Sequence, residues 1–518
     1  MMDRRQLLRT GAATAVLGTT TRAAAQDTPA PAPAPGAAPA DARAEKPRFE
    51  ASQVTELARQ LAKRPFAQPA NDLPDAFSSL SYEQYVGIRA RPNGLLWSNA
   101  NRGFVIEPLH RGSLFRDQVV LYIVEEGIVR RLGYDAAAFD FGRLSVQPPT
   151  QDIGFSGFRV FSGSERPYEV AIFQGATFFR AIARGQTMGV VARTLTLRPG
   201  ETRGEEIPAF RAFWIEQPAP AADTLTIHAL MDSESASGAV RFTVRPGDVT
   251  IIDVEVTLFA RVNLDHVGWG GMAATYVFGA SSRRNTDDVR AAVYDTNGLQ
   301  MYNGKQEWLW RPISNPQALQ ISAFVDTNPR GFGLLQRDRD AAIFQDDDQN
   351  YERRPSLWVE PLGDWGDGSV QLIEIPTDSE VNDNVIAYWR PRQALPAGSE
   401  TSYVYRQFWC WKVPDQPPLA MVVQTRSGRG GGGRRRKFLV EFVGDVLGDA
   451  RTLVEIKPAL SAATGTLSNV RVWPYPERKA LRVGFELDPG NEQNSELRLV
   501  LEAGGKPLSE TWLYRWTP

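Results

Sequence analysis

Runs in which every second residue is apolar set the fold this chain can adopt. Val240, Phe242 and Val244 alternate with Arg241, Thr243 and Arg245, and Pro246-Gly247-Asp248 supplies a turn. The next run places Val254, Val256, Leu258, Ala260 and Val262 on one face and Glu255, Thr257 and Arg261 on the other. Near the C-terminus Leu481, Val483, Phe485 and Leu487 alternate with Arg482 and Glu486; after Asp488-Pro489-Gly490, Leu497, Leu499 and Leu501 form the answering strand. A period of two with turn residues between the runs predicts half-buried antiparallel strands. Helical spacing is confined to Val54, Leu57, Ala58 and Leu61, which Pro65 stops, so a short helix is expected at about 51–64. With 44 Gly and 36 Pro punctuating 518 residues, the chain reads as all-β, arranged in sandwiches.

The N-terminus reads as an address. Asp3-Arg4-Arg5-Gln6-Leu7-Leu8 places two adjacent arginines before an apolar stretch, and Ala23-Ala24-Ala25 offers a small-residue cleavage site. Adjacent arginines are what the bacterial twin-arginine export route reads, and an ordinary secretion signal leads to the same side of the membrane. The apolar stretch is shorter than the roughly 20 residues a bilayer span needs. Residues 1–25 are therefore expected to be a leader and 26–47, with Pro29-Ala30-Pro31-Ala32-Pro33-Ala34-Pro35, an extended tether. A second boundary is signalled between about 395 and 420 by Pro396-Ala397-Gly398 and Pro414-Asp415-Gln416-Pro417-Pro418. The expected units are a large sandwich at 48–400 and an immunoglobulin-like sandwich at 401–518. The segment Arg429-Gly430-Gly431-Gly432-Gly433-Arg434-Arg435-Arg436-Lys437 lacks the Gly-Lys-Ser/Thr of a phosphate loop and is expected to be a solvated hairpin loop.

Charge and residue counts narrow the chemistry. Lys plus Arg total 58 against 60 Asp plus Glu, so the chain has no overall basic character for nucleic acid. The single cysteine, Cys410, excludes an intramolecular disulfide and a multi-cysteine metal site, and only His110, His228 and His266 are available as histidine ligands. No cofactor or metal is expected. Asp346, Asp348 and Asn350 alternate as in a calcium loop, but Tyr351 and Leu357 stand where glycine and a bidentate Glu are required. No Gly-x-Ser-x-Gly is present to support a nucleophilic triad. What is concentrated is tryptophan with acid. Eight of the 13 Trp lie between 269 and 411, beside Asp295, Glu307, Glu360, Asp364, Glu380 and Asp383. Indole rings pack on sugar rings, and paired carboxylates suit glycosidic bond cleavage.

The motifs then become recognisable. Tyr294-Asp295-Thr296-Asn297-Gly298-Leu299, Glu307-Trp308-Leu309-Trp310-Arg311-Pro312, Arg330-Gly331-Phe332-Gly333, Tyr351-Glu352-Arg353-Arg354-Pro355, Gly363-Asp364-Trp365-Gly366 and Glu374-Ile375-Pro376-Thr377, followed by Glu380, Asp383 and Asn384, stand in this order. Together they resemble the periplasmic osmoregulated glucan biosynthesis proteins G and D over about 48–518, and the twin-arginine leader resembles the D branch. Tyr294-Asp295-Thr296-Asn297 departs from an expected His-Asp-Ser-Asp but keeps the aspartate. The resemblance implies a galactose-mutarotase-like sandwich joined to an immunoglobulin-like one, and action on β-1,2-glucan as an inverting endo-glucanase or a cyclising transglycosylase. It implies Asp383 as general acid, assisted by Glu380, and Asp295 as general base through a relay that includes Tyr351. Trp308, Trp310, Trp358, Trp365 and Trp389, with Arg353, are the expected sugar contacts. An acid in use near neutral pH needs its pKa raised, so Asp383 is expected in a burying or negatively charged place and Asp295 in a polar, partly solvated one. The alternative is a non-catalytic glucan-binding scaffold that assists a membrane synthase.

Overall fold

The alternating runs fold as strands. A computed structural model describes residues 48–518 apart from 71, 145, 164–166, 283–286 and 416, so the leader and the tether lie outside the described residues. Ala236–Arg245 and Val249–Ala260 pair antiparallel, with Val240 opposite Val256. Val240, Phe242, Val244, Val254, Val256 and Leu258 are buried, while Arg241 and Glu255 stay exposed and form a cross-strand ion pair at 2.9 Å. The period stops short of Val262, because the strand ends at Ala260 and Val262 is left exposed. The expected helix forms at Ala51–Ala62 and buries Val54 and Ala58 against Trp214, Leu230, Ala239 and Phe259. Arg261, from the end of the second strand, donates to the Leu61 carbonyl at 2.7 Å and the Arg64 carbonyl at 3.1 Å, satisfying acceptors that a helix end leaves open.

Two broad sheets make the large sandwich. One has ten strands running from Phe104–Leu109 through Phe178–Ala181, Val267–Ala274 and Val385–Pro391 to Asp367–Glu374 and Gln320–Thr327. The other has fifteen and contains Val249–Ala260, Glu400–Cys410, Ser356–Leu362, Gly331–Leu335, Gly298–Tyr302 and Trp308–Pro312. Their facing apolar residues form one core from Phe104 to Trp409. The larger sheet continues past Trp308–Pro312 through a parallel pairing with Thr511–Trp516 into Ser495–Ala503 and Lys457–Ala462. A separate four-stranded sheet, Met421–Arg429, Arg436–Val443, Ala480–Asp488 and Thr466–Tyr475, covers that extension and makes the second core. The protein is thus an all-β sandwich fold. No helix among the described residues is long and apolar enough to cross a membrane.

Two expectations need correcting. Ala480–Asp488 does not pair with Ser495–Ala503: the first pairs with Arg436–Val443 and Thr466–Tyr475, the second with Lys457–Ala462 and Thr511–Trp516. Leu481, Val483, Phe485 and Leu487 still meet Leu497, Leu499 and Leu501, but across the core rather than along a ladder. The strand Glu400–Cys410 lies between Val249–Ala260 and Ser356–Leu362. A boundary at 400 would cut it from both neighbours, so we place the change of sandwich between Cys410 and Met421. The Gly/Arg segment is the turn between Met421–Arg429 and Arg436–Val443, with Arg434 donating to the Gly490 carbonyl at 2.9 Å.

One buried ion pair stitches the two large sheets together. Arg311 reaches Glu374 at 3.1 Å with side chains 1% and 0% exposed, and Glu374 also accepts from Ser314 N at 2.7 Å and Ser314 Oγ at 2.9 Å. Removing one partner strands a charge in a place without water. Arg311→Met should therefore lower the unfolding free energy by about 3–5 kcal/mol, read as a lower urea midpoint at unchanged slope.

Candidate active site

A short ladder delivers Asp295. Val293–Tyr294 pairs with Tyr276–Phe278, and just beyond it Asp295 N donates to the Thr275 carbonyl at 2.8 Å while Thr275 N donates to Asp295 Oδ2 at 3.3 Å. The other carboxylate oxygen faces Arg354 Nε at 3.5 Å without a hydrogen bond, and the side chain is only 10% exposed. Burial pushes this carboxyl above its ordinary range; Arg354, the Thr275 N–H and Arg180 pull it down, and the charge on Asp383 pushes it further up.

The same threonine holds the opposing loop. Thr275 Oγ1 donates to the Asn382 carbonyl at 3.1 Å. Asn384 accepts from Tyr276 N at 2.8 Å and donates to the carbonyls of Tyr276 at 3.0 Å and Ile375 at 2.9 Å. This loop, between the Asp367–Glu374 and Val385–Pro391 strands, carries Glu380 and Asp383. Asp383 is 31% exposed and sits 4.0 Å from Arg180, on the Phe178–Ala181 strand. Glu380 Oε2 accepts from the Tyr351 hydroxyl and from Arg290 Nη1, both at 2.8 Å. Arg290 is shared with Asp346 and Asp288, and these three carboxylates hold its guanidinium charged. The Tyr351 phenol is pushed up by burial and then by Glu380, so its hydroxyl keeps its proton at any ordinary pH. Beside Glu380 opens a cavity of about 550 Å³ lined by Ser282, Asp287, Arg290, Asn315 and Asp378 among others.

Asp295, Asp383, Glu380 and Tyr351 thus converge on one cluster, but the surroundings of the two aspartates are the reverse of those expected. The sealed carboxyl is Asp295 and the solvated one is Asp383. The physical reason is local: Asp295 is folded under Thr275 and capped by Arg354, whereas Asp383 stands on a loop.

The tryptophans correct a second expectation. Trp358 and Trp389 are fully enclosed, and Trp308, Trp310 and Trp365 nearly so. Trp308 is stacked between Tyr302 at 4.3 Å and Trp358 at 5.9 Å, in the core under the four-stranded sheet. Trp310 has the Arg337 guanidinium 3.5 Å above its ring, and a Cβ on Gly298 would come within 2.1 Å of it. Trp365 meets Trp269 edge-on at 5.6 Å in the large core, where Trp389 also lies. All five are buried, Trp308, Trp310 and Trp358 because both faces of their sheet are covered and Trp365 and Trp389 in the large core, so none stands out as an open platform for a sugar. Arg353 points elsewhere too: it donates through Nε and Nη2 to the Gly185 carbonyl at 3.1 and 2.7 Å. Arg354, Arg180, Arg290 and Thr275 were not singled out from the sequence. Arg354 stood in a motif already marked, but spacing does not say which of two consecutive arginines on a turn faces the acid.

Comparison with known proteins adds a family. The family described as "Periplasmic glucan biosynthesis protein, MdoG" matches residues 49–516. A Bradyrhizobium diazoefficiens protein named Glucans biosynthesis protein G is 42% identical over 524 residues, covering 100% of both chains. A protein of the same name from Rhodopseudomonas palustris is 43% identical, covering 90% of this chain and 93% of its own, and one from a Shewanella species is 42% identical, covering 90% and 87%. These relatives carry the G name, whereas the leader pointed to the D branch of the same family.

The sealing of Asp295 sets a stability prediction. Its carboxyl is raised in the folded state, so its contribution to stability is full below the ordinary aspartate range, near pH 4, and is lost as pH rises through the folded value. At neutral pH the ionised group is a burden on the fold. Asp295→Asn should melt higher than the unaltered protein at pH 7, and the gain should vanish when melting is followed below about pH 4.

Proposed function

Because the chain belongs to the periplasmic glucan biosynthesis family, MdoG, we propose that it is a periplasmic enzyme acting on β-1,2-linked glucan chains, cutting them with inversion or transferring the cut end to a sugar hydroxyl and so cyclising them. The observation that carries this reading is the aspartate pair. Asp383 is near enough for its charge to disfavour charge on Asp295, and the two occupy unlike surroundings, one open and one sealed. Two neighbouring carboxyls in such unlike surroundings suit different roles at one bond.

In this reading Asp383 donates its proton to the departing glycosidic oxygen. A glucan chain laid over the loop would cover the side from which water now reaches Asp383. Glu380, two carboxylate bonds deep in Tyr351 and Arg290, adds negative charge beside it. Asp295 stays ionised through Arg354 and the Thr275 N–H, and takes the proton of the attacking oxygen through the Tyr351 hydroxyl, which turns its own proton from Glu380 to Asp295 as it receives another. The twin-arginine leader, cut near Ala25, would bring the protein to the periplasm, and an inner-membrane glucan synthase would supply the chain.

A second reading, a glucan-binding scaffold without catalysis, draws support from the sealing of Asp295. Incubation with linear β-1,2-glucan separates them. Shortened chains mean hydrolysis, products lighter by one water mean cyclisation, and unchanged chains that still bind mean a scaffold. Asp383→Asn should lower cleavage by about 10²–10⁴-fold with the fold intact, and near-normal turnover would remove Asp383 from the acid role. Asp295→Asn should lower kcat with KM little changed, because a base acts only in the transition state.

A further inference from the structure

Three consecutive side chains after the Gly331–Leu335 strand end in three sets of buried bonds. Asp338 Oδ2 accepts from the Tyr294 hydroxyl at 2.5 Å and from Asn297 Nδ2 at 2.8 Å, residues on either side of Asp295 in the chain. Arg339 donates from Nη1 to the carbonyls of Glu352 at 2.9 Å and Arg354 at 2.5 Å, and from Nη2 to Ser356 Oγ at 3.3 Å and the Trp411 carbonyl at 3.0 Å. It therefore grips the turn that carries both Tyr351 and Arg354. Arg337 forks onto Glu510, at 2.6 and 3.0 Å, and donates to the Val422 carbonyl at 2.8 Å, both in the second sandwich. Among the described residues, no hydrogen bond joins any of the three to Asp295, Asp383 or Glu380.

We infer that Arg337-Asp338-Arg339 is a positioning element for the acid cluster: Asp338 fixes the peptide bearing Asp295, Arg339 fixes the turn bearing Arg354 and Tyr351, and Arg337 with Glu510 anchors both to the second sandwich. The residue types fit the task. A carboxylate accepts two donors on one oxygen, and a planar guanidinium spans several carbonyls that an ammonium cannot. The segment is also costly to bury. Burial lowers the Arg339 guanidinium to about 10, and it pushes the Asp338 carboxyl up against the opposing pull of Tyr294, Asn297, Arg337 and Arg339. Such groups persist where their geometry is used.

The consequence falls on Asp295. The charged and titratable groups around it are Arg354, Asp383, Arg180 and Tyr351, together with the Thr275 N–H. Arg354 holds it by charge across 3.5 Å without a hydrogen bond, an attraction that changes steeply with distance away from water. Releasing the Arg354 carbonyl lets the cation drift and makes Asp295 harder to ionise.

The kinetic arm of the test rests on the catalytic reading above; the titration arm does not. Arg339→Lys keeps the charge and loses the fork. With aspartate carboxyls labelled with ¹³C, and the Asp295 signal assigned by its absence in Asp295→Asn, the Asp295 midpoint should move to higher pH in Arg339→Lys. Tyr294→Phe, the milder change, should move it the same way by loosening Asp295 from Thr275. On β-1,2-glucan, kcat of Arg339→Lys should fall by about ten- to a hundredfold, its acid limb shifting upward with the carboxyl, while KM stays within about twofold because an effect confined to the transition state spares it. An Asp295 midpoint unmoved in both folded variants overturns the inference. A protein that leaves glucan untouched overturns the catalytic reading alone, and the titration still decides this one.

Discussion

A carboxylate placed almost out of water is the constraint around which this molecule is arranged. Asp295 has one backbone N–H, one facing guanidinium and a more distant one to offset its lost hydration. Each of these comes from a different part of the chain: Thr275 from the ten-stranded sheet, Arg354 from a turn before Ser356–Leu362, and Arg180 from the Phe178–Ala181 strand. The contacts that offset this lost hydration exist only once both large sheets have assembled. Thr275 makes the coupling tighter still, because one residue bonds Asp295 through its backbone and the Asp383 loop through its hydroxyl.

The strands were legible because alternation is a local property. Val240, Phe242 and Val244 had to lie on one face whatever covered them, and the helix at Ala51–Ala62 followed from spacing and Pro65 in the same way. Pairing was less legible. Leu481–Leu487 and Leu497–Leu501 share a core but not a ladder, since the six-residue connection at 489–494 serves a hairpin and a crossing between sheets equally well. The tryptophans failed for a related reason. Their position on strands was readable, but the outward face of the larger sheet is buried only because the chain's last strands continue that sheet and a four-stranded sheet closes over it. No window of sequence around Trp308 or Trp358 contains that fact.

The acid cluster was legible through motifs and illegible through physics. Asp295, Tyr351, Glu380 and Asp383 stand in recognisable runs, and they do converge. Their cations do not announce themselves, because an arginine that neutralises a buried acid looks in sequence like one that holds a carbonyl. Arg353 and Arg354 are the sharpest case: adjacent, identical, and committed one to Gly185 and the other to Asp295. Burial is likewise a tertiary quantity, which is why the expected surroundings of the two aspartates came out reversed.

That reversal bears on how the pair works. An acid that is already sealed and protonated needs no partner to complete it, whereas one in water must be desolvated by what it acts on. With Asp383 open and Asp295 closed, anything that covers the loop changes mainly the surroundings of Asp383, whose charge is one of the influences that disfavour ionised Asp295. Arg180 lies 4.0 Å from Asp383 and also pulls the Asp295 carboxyl down, so one cation from the Phe178–Ala181 strand is shared between the open aspartate and the sealed one.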